Sequence, residues 1–431
     1  MTGTDEGDER VVVVCGAGVA GSTAAAAAAH AGAFVVVLEA ARRPYGKLDQ
    51  VMPEWQHERA DDERAFIDLA LAHPNILFVP ATRLGIDVDR AMLDAMGVDL
   101  LVLAHGAERE RALAVPDLEA FAGRGFATQR DILGDEVPWP TGVAHPLRQD
   151  GALVVGGGLG AVDCAKALVF GVVARALAER QAFVPYSALE AEGVHAVLAR
   201  HHLDAAAIGL VGAKILHRRD IEQLRLDPRG EPVDADVARA FVDDLAARYA
   251  VEVIPDVVPV AVLADGSRLT GLACERALAG AALDAPVVTV PGSRFELHAP
   301  LVVSAIGWRP ALLPDIPSSG DFYRIADPVS GEVAGIAHTL VVGMCASGRG
   351  GLEDTRAEAR ARVERAMRER FGMVARAPMV DADATSEVEA HLVRPPLESG
   401  RVEAVLRWAR ARQRAVGFQD YRSWIRQRQR S

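Results

Sequence analysis

Gly16-Ala17-Gly18-Val19-Ala20-Gly21 sets glycines at the spacing G-x-G-x-x-G. Each glycine has a mechanical duty there. Gly16 makes a tight turn, Gly18 lets a pyrophosphate approach the backbone, and Gly21 lets a helix pack closely on a strand. Val19 and Ala20 open that helix, whose free N–H groups and positive end attract phosphate. Glu39 follows Gly21 at the end of the next apolar run, where a carboxylate would accept hydrogen bonds from a ribose diol. A second turn, Gly156-Gly157-Gly158-Leu159-Gly160-Ala161, repeats the pattern with Ala in the third place. Its following apolar run ends in His217-Arg218-Arg219-Asp220. Paired guanidiniums would bind a 2′-phosphate that a carboxylate would repel, although Asp220 could instead hold a free ribose diol. Two dinucleotide sites in one chain point to FAD in the first and a nicotinamide cofactor in the second, NADP(H) ahead of NAD.

The elements needed to position these residues can be read from the same sequence. Residues 11–14 are a continuous valine run, the mark of a strand buried on both faces. A helix over 22–31 and a strand over 34–38 complete a βαβ unit. The second unit is a strand at 153–155, a helix over 162–170 and a strand at 213–216. Short strands and turns fill 252–303, with Asp265-Gly266 as a hairpin turn. A third apolar strand, 339–342, leads into the glycine-rich stretch 343–351 and a charged helix over 354–370, where Thr355 and Glu358 are spaced as a capping box. Residues 1–10 read as a disordered polar leader and 375–400 as a Pro- and acid-rich linker. Residues 401–431 carry nine Arg against Glu403 and Asp420. That tail could dock an acidic partner, or be a solvated helix.

Composition narrows the function classes. The chain has 431 residues, half of them apolar and a quarter charged, and a net charge of -12. That is a soluble multidomain composition, and the charge argues against nucleic acid as a whole-chain ligand. Residues 11–29 lack charge, but acidic residues precede them where a signal peptide would be basic, so no membrane span is expected. Cys15, Cys164, Cys274 and Cys345 are far apart in sequence. There is no CxxC redox pair and no metal-ligand spacing, and a reducing cytoplasm is the expected compartment.

Four stretches, in order, resemble the adrenodoxin reductase-like branch of ferredoxin–NADP reductases. They are Gly16–Gly21 with Glu39 and Pro44-Tyr45-Gly46-Lys47-Leu48; VVGGGLGAVDCAK at 154–166; LVVSAIGWRP at 301–310; and VVGMCASGRGGLEDTRAEA at 341–359. The end of the chain, VGFQDY at 416–421, faintly resembles the family's terminal Phe-x-Asp-Trp. The resemblance covers about 11–370 and implies an α/β protein of two interlocked Rossmann-like domains. The expected boundaries are an FAD domain over 11–145 and 310–375, an NADP domain inserted at 146–309, and a linker and tail over 376–431. It implies cofactor contacts at Gly46, Lys47, Leu48, Ala104, Gly106, Gly307, Gly343, Met344, Gly351, Leu352 and Glu353, beside the two glycine turns, Glu39, Arg218 and Arg219. The helix following Gly351 is expected to aim its N-terminus at the flavin pyrimidine ring.

Trp55, His57 and Asp163 are the candidate catalytic residues. Pro53-Glu54-Trp55 stands where the family has Pro-Asp-His, with His57 two positions displaced, and Met344 replaces an aromatic ring. Asp227-Pro228-Arg229-Gly230-Glu231-Pro232 replaces a Glu-bearing helix. The implied activity is hydride transfer from NADPH to flavin and electron delivery to a ferredoxin-type iron–sulfur partner. Two alternatives stay open. One is a diverged monooxygenase, oxidase or reductase acting on a small organic substrate; the other is a non-enzymatic FAD-binding interaction protein.

Overall fold

The computed structural model describes residues 10–134, 151–227, 229, 233–280, 285–374 and 400–426. The leader up to residue 9, the linker over 375–399, the expected domain junction at 145/146 and most of 228–232 lie outside the described residues. In chain order the elements that position the site begin with β1 (Val11–Cys15), α1 (Val19–His30), β2 (Phe34–Leu38), β3 (Ile76–Val79) and β4 (Leu100–Leu103). They continue with β5 (Phe126–Thr128), β6 (Ala152–Val155), α2 (Leu159–Ala178), β7 (Ala213–Leu216), β8 (Val251–Ile254) and β9 (Leu301–Ser304). The last are β10 (Thr339–Val341), α3 (Leu352–Phe371), α4 (Gly400–Val416) and α5 (Tyr421–Arg426).

The chain divides into two compact units. One gathers the described residues of 1–48, 61–109 and 309–431; the other gathers 49–60 and 110–308. Apart from the excursion over 49–60, the chain passes into the second unit after residue 109, and there β5 pairs in parallel with β9 and not with the first sheet.

The first unit is built on a seven-stranded sheet in which β10-β4-β1-β2-β3 are parallel neighbours. Val11 to Val14 are wholly buried, as expected for a parallel strand covered on both faces. Seven of the twelve residues of α1 are alanine, and Ala24 to Ala29 are each no more than 3% exposed. Small side chains let this helix lie close to its neighbours, and the apolar run read from sequence is thus interior. No helix among the described residues is long and apolar enough to cross a membrane. The tail belongs to this unit: Val402, Val405 and Ala409 of α4 are buried in its core.

The second unit holds the parallel sheet β5-β9-β6-β7-β8. Phe170, Leu168 and Leu177 of α2 fill its core. An antiparallel sheet, whose long hairpin joins Val257–Asp265 to Arg268–Ala279, packs a second core around Leu269 and Leu272. Asp265 pairs with Arg268 and Gly266 has φ +58°, which fulfils the expected turn.

Candidate active site

The first cradle lies at the carboxyl ends of β1, β2 and β4. Gly16 has φ +103°, and a Cβ there would lie 2.5 Å from the Ala104 carbonyl oxygen. The loop after β4 crosses this glycine, which places Ala104 and Gly106 beside the turn. A Cβ at Gly21 would lie 1.8 Å from the Gly16 carbonyl oxygen. Gly18 caps α1, and a Cβ there would meet nothing within 4 Å. Gly21 is thus a packing glycine, while Gly18 borders open space of the kind a pyrophosphate needs.

Glu39 is 9% exposed. Its two carboxylate oxygens accept hydrogen bonds from the Ala17 and Ala41 backbone N–H groups, each at 2.8 Å. Burial raises its pKa, while those two amides pull it down. Each oxygen keeps a lone pair for a ribose hydroxyl. Gly46 has φ +54°, and a Cβ there would lie 4.0 Å from the Gly18 Cα. Lys47 opens a short helix, Lys47–Gln50, with Leu48 buried beneath it.

Gly343 has φ +70°, and its Cβ position lies 2.7 Å from the Ala20 Cβ. It thereby joins the glycine-rich segment to α1, and the half-buried Met344 follows it. The expected capping box does not form. Gly351 is the cap of α3, and the Thr355 N–H donates to its carbonyl at 3.0 Å. Thr355 is therefore already inside the helix, and Glu358 pairs with Arg362 instead. Leu352 and the exposed Glu353 form the first turn.

His105 and Tyr323 were not singled out from sequence. His105 Nε2 lies 2.9 Å from the Tyr323 hydroxyl, which accepts from the Leu313 N–H at 3.1 Å. Burial drops the His105 pKa to about 4, so the ring is neutral. Its position between Ala104 and Gly106 was the available signal.

The second cradle lies at the carboxyl ends of β6, β7 and β9. A Cβ at Gly156 would lie 2.5 Å from the Ala305 carbonyl oxygen and 2.8 Å from the Ala161 Cβ, so the first and third motif positions touch. Gly158 caps α2, with only the Arg225 carbonyl oxygen near its Cβ position, at 3.7 Å. Leu159 is partly exposed. Gly160 leaves room for the Gln129 side chain, 2.6 Å from its Cβ position. Gln129 in turn accepts from Trp308 Nε1 at 3.0 Å, just beyond Gly307 with φ +95°.

The two arginines after β7 serve different ends. Arg218 is exposed, and its pKa is lowered by partial burial and then by Arg219 and Arg111. That crowding of positive charge is relieved by an anion. Arg219 is 5% exposed and donates to the Ala285 carbonyl at 2.6 Å. Asp220 accepts from the Glu222 N–H at 3.1 Å and caps a short turn. His217 is buried with its ring against the Gly157 Cβ position, and its Nε2 has no hydrogen-bond partner. An orphaned buried nitrogen beside a glycine turn fits a cradle completed by a polar ligand.

Among the candidate catalytic residues, Asp163 on α2 is half-buried. Burial pushes its pKa up to about 7, with Lys166 pulling it down and Glu190 pushing it up. Lys166 itself pairs with Glu190 at 3.0 Å and lies over the Tyr249 ring. Trp55 packs edge-on against Phe170 at 5.0 Å, a core contact. His57 is exposed at the start of the helix His57–Leu71.

A family model described as pyridine nucleotide-disulphide oxidoreductase matches residues 10–313. The structure is similar to that of Mycobacterium tuberculosis FprA in complex with NADPH, at 18% identity. The match covers 94% of this chain and 91% of that one with a TM-score of 0.64. It is also similar to T. acidophilum thioredoxin reductase, at 14% identity, 82% and 97% coverage, and a TM-score of 0.51. At these identities the likenesses show the fold. A sequence search of curated proteins finds no match.

Proposed function

This chain belongs to the pyridine nucleotide-disulphide oxidoreductase family, and on that premise we propose that it takes hydride from NADPH onto FAD and passes electrons to an acidic ferredoxin-type iron–sulfur protein. One observation carries the reading: the two glycine cradles end in opposite charge. The first has the buried carboxylate of Glu39 and the second the exposed guanidinium of Arg218. A carboxylate suits the ribose of FAD, and a guanidinium suits the 2′-phosphate that distinguishes NADPH. The bound cofactors supply the hydride and electron chemistry.

The chain's own residues bind, orient and tune. Gly18 admits the pyrophosphate to the N-terminus of α1, and Glu39, held by two amides, fixes the ribose. The N-terminus of α3, at Gly351, Leu352 and Glu353, favours negative charge close by. Asp163 holds a proton up to about pH 7, which suits a donor near neutrality. All four cysteines are free and buried, so electrons leave without a cysteine pair. Arg407, Arg410 and Arg414 line the exposed side of α4 and suit an acidic carrier.

Stopped-flow mixing with NADPH, and then with ferredoxin or oxygen, tests this. Rapid flavin bleaching by NADPH and reoxidation only with ferredoxin are expected. No bleaching would leave a binding protein, and rapid reoxidation by oxygen alone would point to chemistry on a small organic substrate.

A further inference from the structure

The second cradle contains a cation that its glycine motif does not announce. Arg219, the inner member of the arginine pair, is buried and committed to the Ala285 carbonyl. One exposed guanidinium, Arg218, remains of the pair. Arg225 lies further along the same loop, and its backbone N–H donates to the Gly157 carbonyl oxygen at 2.8 Å. Arg225 and Gly158 form a parallel bridge. Residues paired across a ladder project to the same face. The Arg225 side chain therefore leaves on the face where Gly158 lacks one, which is the face this motif glycine opens to a pyrophosphate. Arg225 is half-buried and lies within electrostatic reach of His217, whose ring rests on the same turn.

We propose that Arg225 is, with Arg218, a phosphate-binding cation of the pyridine-nucleotide cradle, while Arg219 holds the strand-connecting segment at Ala285. This rests on the pyridine-nucleotide reading of that cradle. The chemistry recognised is a nucleotide phosphate. Its source is either the 2′-phosphate or the pyrophosphate, and both are planar-fork targets for a guanidinium.

Calorimetric titration of the full-length protein with 2′,5′-ADP and with 5′-ADP separates the possibilities without any turnover. Arg225→Gln should weaken 2′,5′-ADP by on the order of tenfold or more, the loss of at least one charge-assisted hydrogen bond. Arg225→Lys, which keeps the charge, should recover part of that loss. Arg219→Gln should change affinity by less than about threefold and lower the melting temperature instead, since it removes the buried donor and leaves the Ala285 carbonyl without it. A selective loss for 2′,5′-ADP assigns the 2′-phosphate, and an equal loss for both probes assigns the 5′-phosphate end. Unchanged binding of both probes by Arg225→Gln, with wild type binding them, would overturn the proposal alone. Wild-type protein that binds neither probe would overturn the cradle reading beneath it.

Discussion

A side chain added at Gly18 enters open space at an ordinary φ of -65°, whereas one added at Gly21 drives into the Gly16 carbonyl oxygen. Gly18→Val should therefore abolish bound FAD, read as flavin absorbance after gel filtration, while the FAD-free protein melts as wild type does. Gly21→Ala should lower the melting temperature of the FAD-free protein as well. Equal loss of stability in both variants would remove the distinction. Asp163 makes a second prediction of the same scale. Its pKa of about 7 in the folded state exceeds the ordinary value near 3.9. The folded protein then binds more protons between those values, so this group's contribution to stability falls as pH rises from about 4 to 7. Asp163→Asn keeps the neutral form. It should melt above wild type at pH 8 and close to it at pH 4; identical curves at both would place Asp163 in an ordinary solvated setting.

Among the elements, the C-terminal helices illustrate how a charged sequence hides a packing face. Nine arginines dominate the tail, yet Val402, Val405 and Ala409 face the core. Gln413 donates to the Phe78 carbonyl at 2.7 Å, Arg412 pairs with Asp87 at 2.9 Å, and Trp424 Nε1 donates to the Arg42 carbonyl at 2.6 Å. Asp68 accepts from both Tyr45 and Tyr421. Trp424→Ala should cost about 3 kcal/mol of stability, the usual effect of removing a buried indole. Reversing the exposed Arg407, Arg410 and Arg414 to Glu should leave the melting temperature nearly unchanged. If the tail docks an acidic carrier, that reversal should abolish the fall of ferredoxin-dependent cytochrome reduction with rising salt. An intact salt profile in the reversed protein would leave the tail with packing as its role.

At the scale of the whole molecule, each unit carries one dinucleotide cradle at the carboxyl edge of a parallel sheet, the place where open α/β sheets bind ligands. The local sequence determined those cradles. Strand β-branching, glycine spacing and the charge ending the next strand act over a few tens of residues, so β2, β7, Glu39 and both turns were legible at once. The resemblance added the family. What required tertiary structure was everything set by distant partners. Thr355 and Glu358 have the spacing of a cap, but Gly351 takes the position, with Thr355 already inside α3 and Glu358 paired with Arg362. The chain crosses between units before β5 because β5 finds its hydrogen-bonding partner in β9, far along the chain. Arg218 and Arg219 are the same residue type at adjacent positions, and only the fold decides that one faces solvent while the other reaches Ala285. Sequence thus specified the ligand chemistry each turn can hold, because that depends on local backbone shape and charge. Tertiary structure decided which side chains are free to provide it, because burial and hydrogen-bond partners come from segments brought together only on folding.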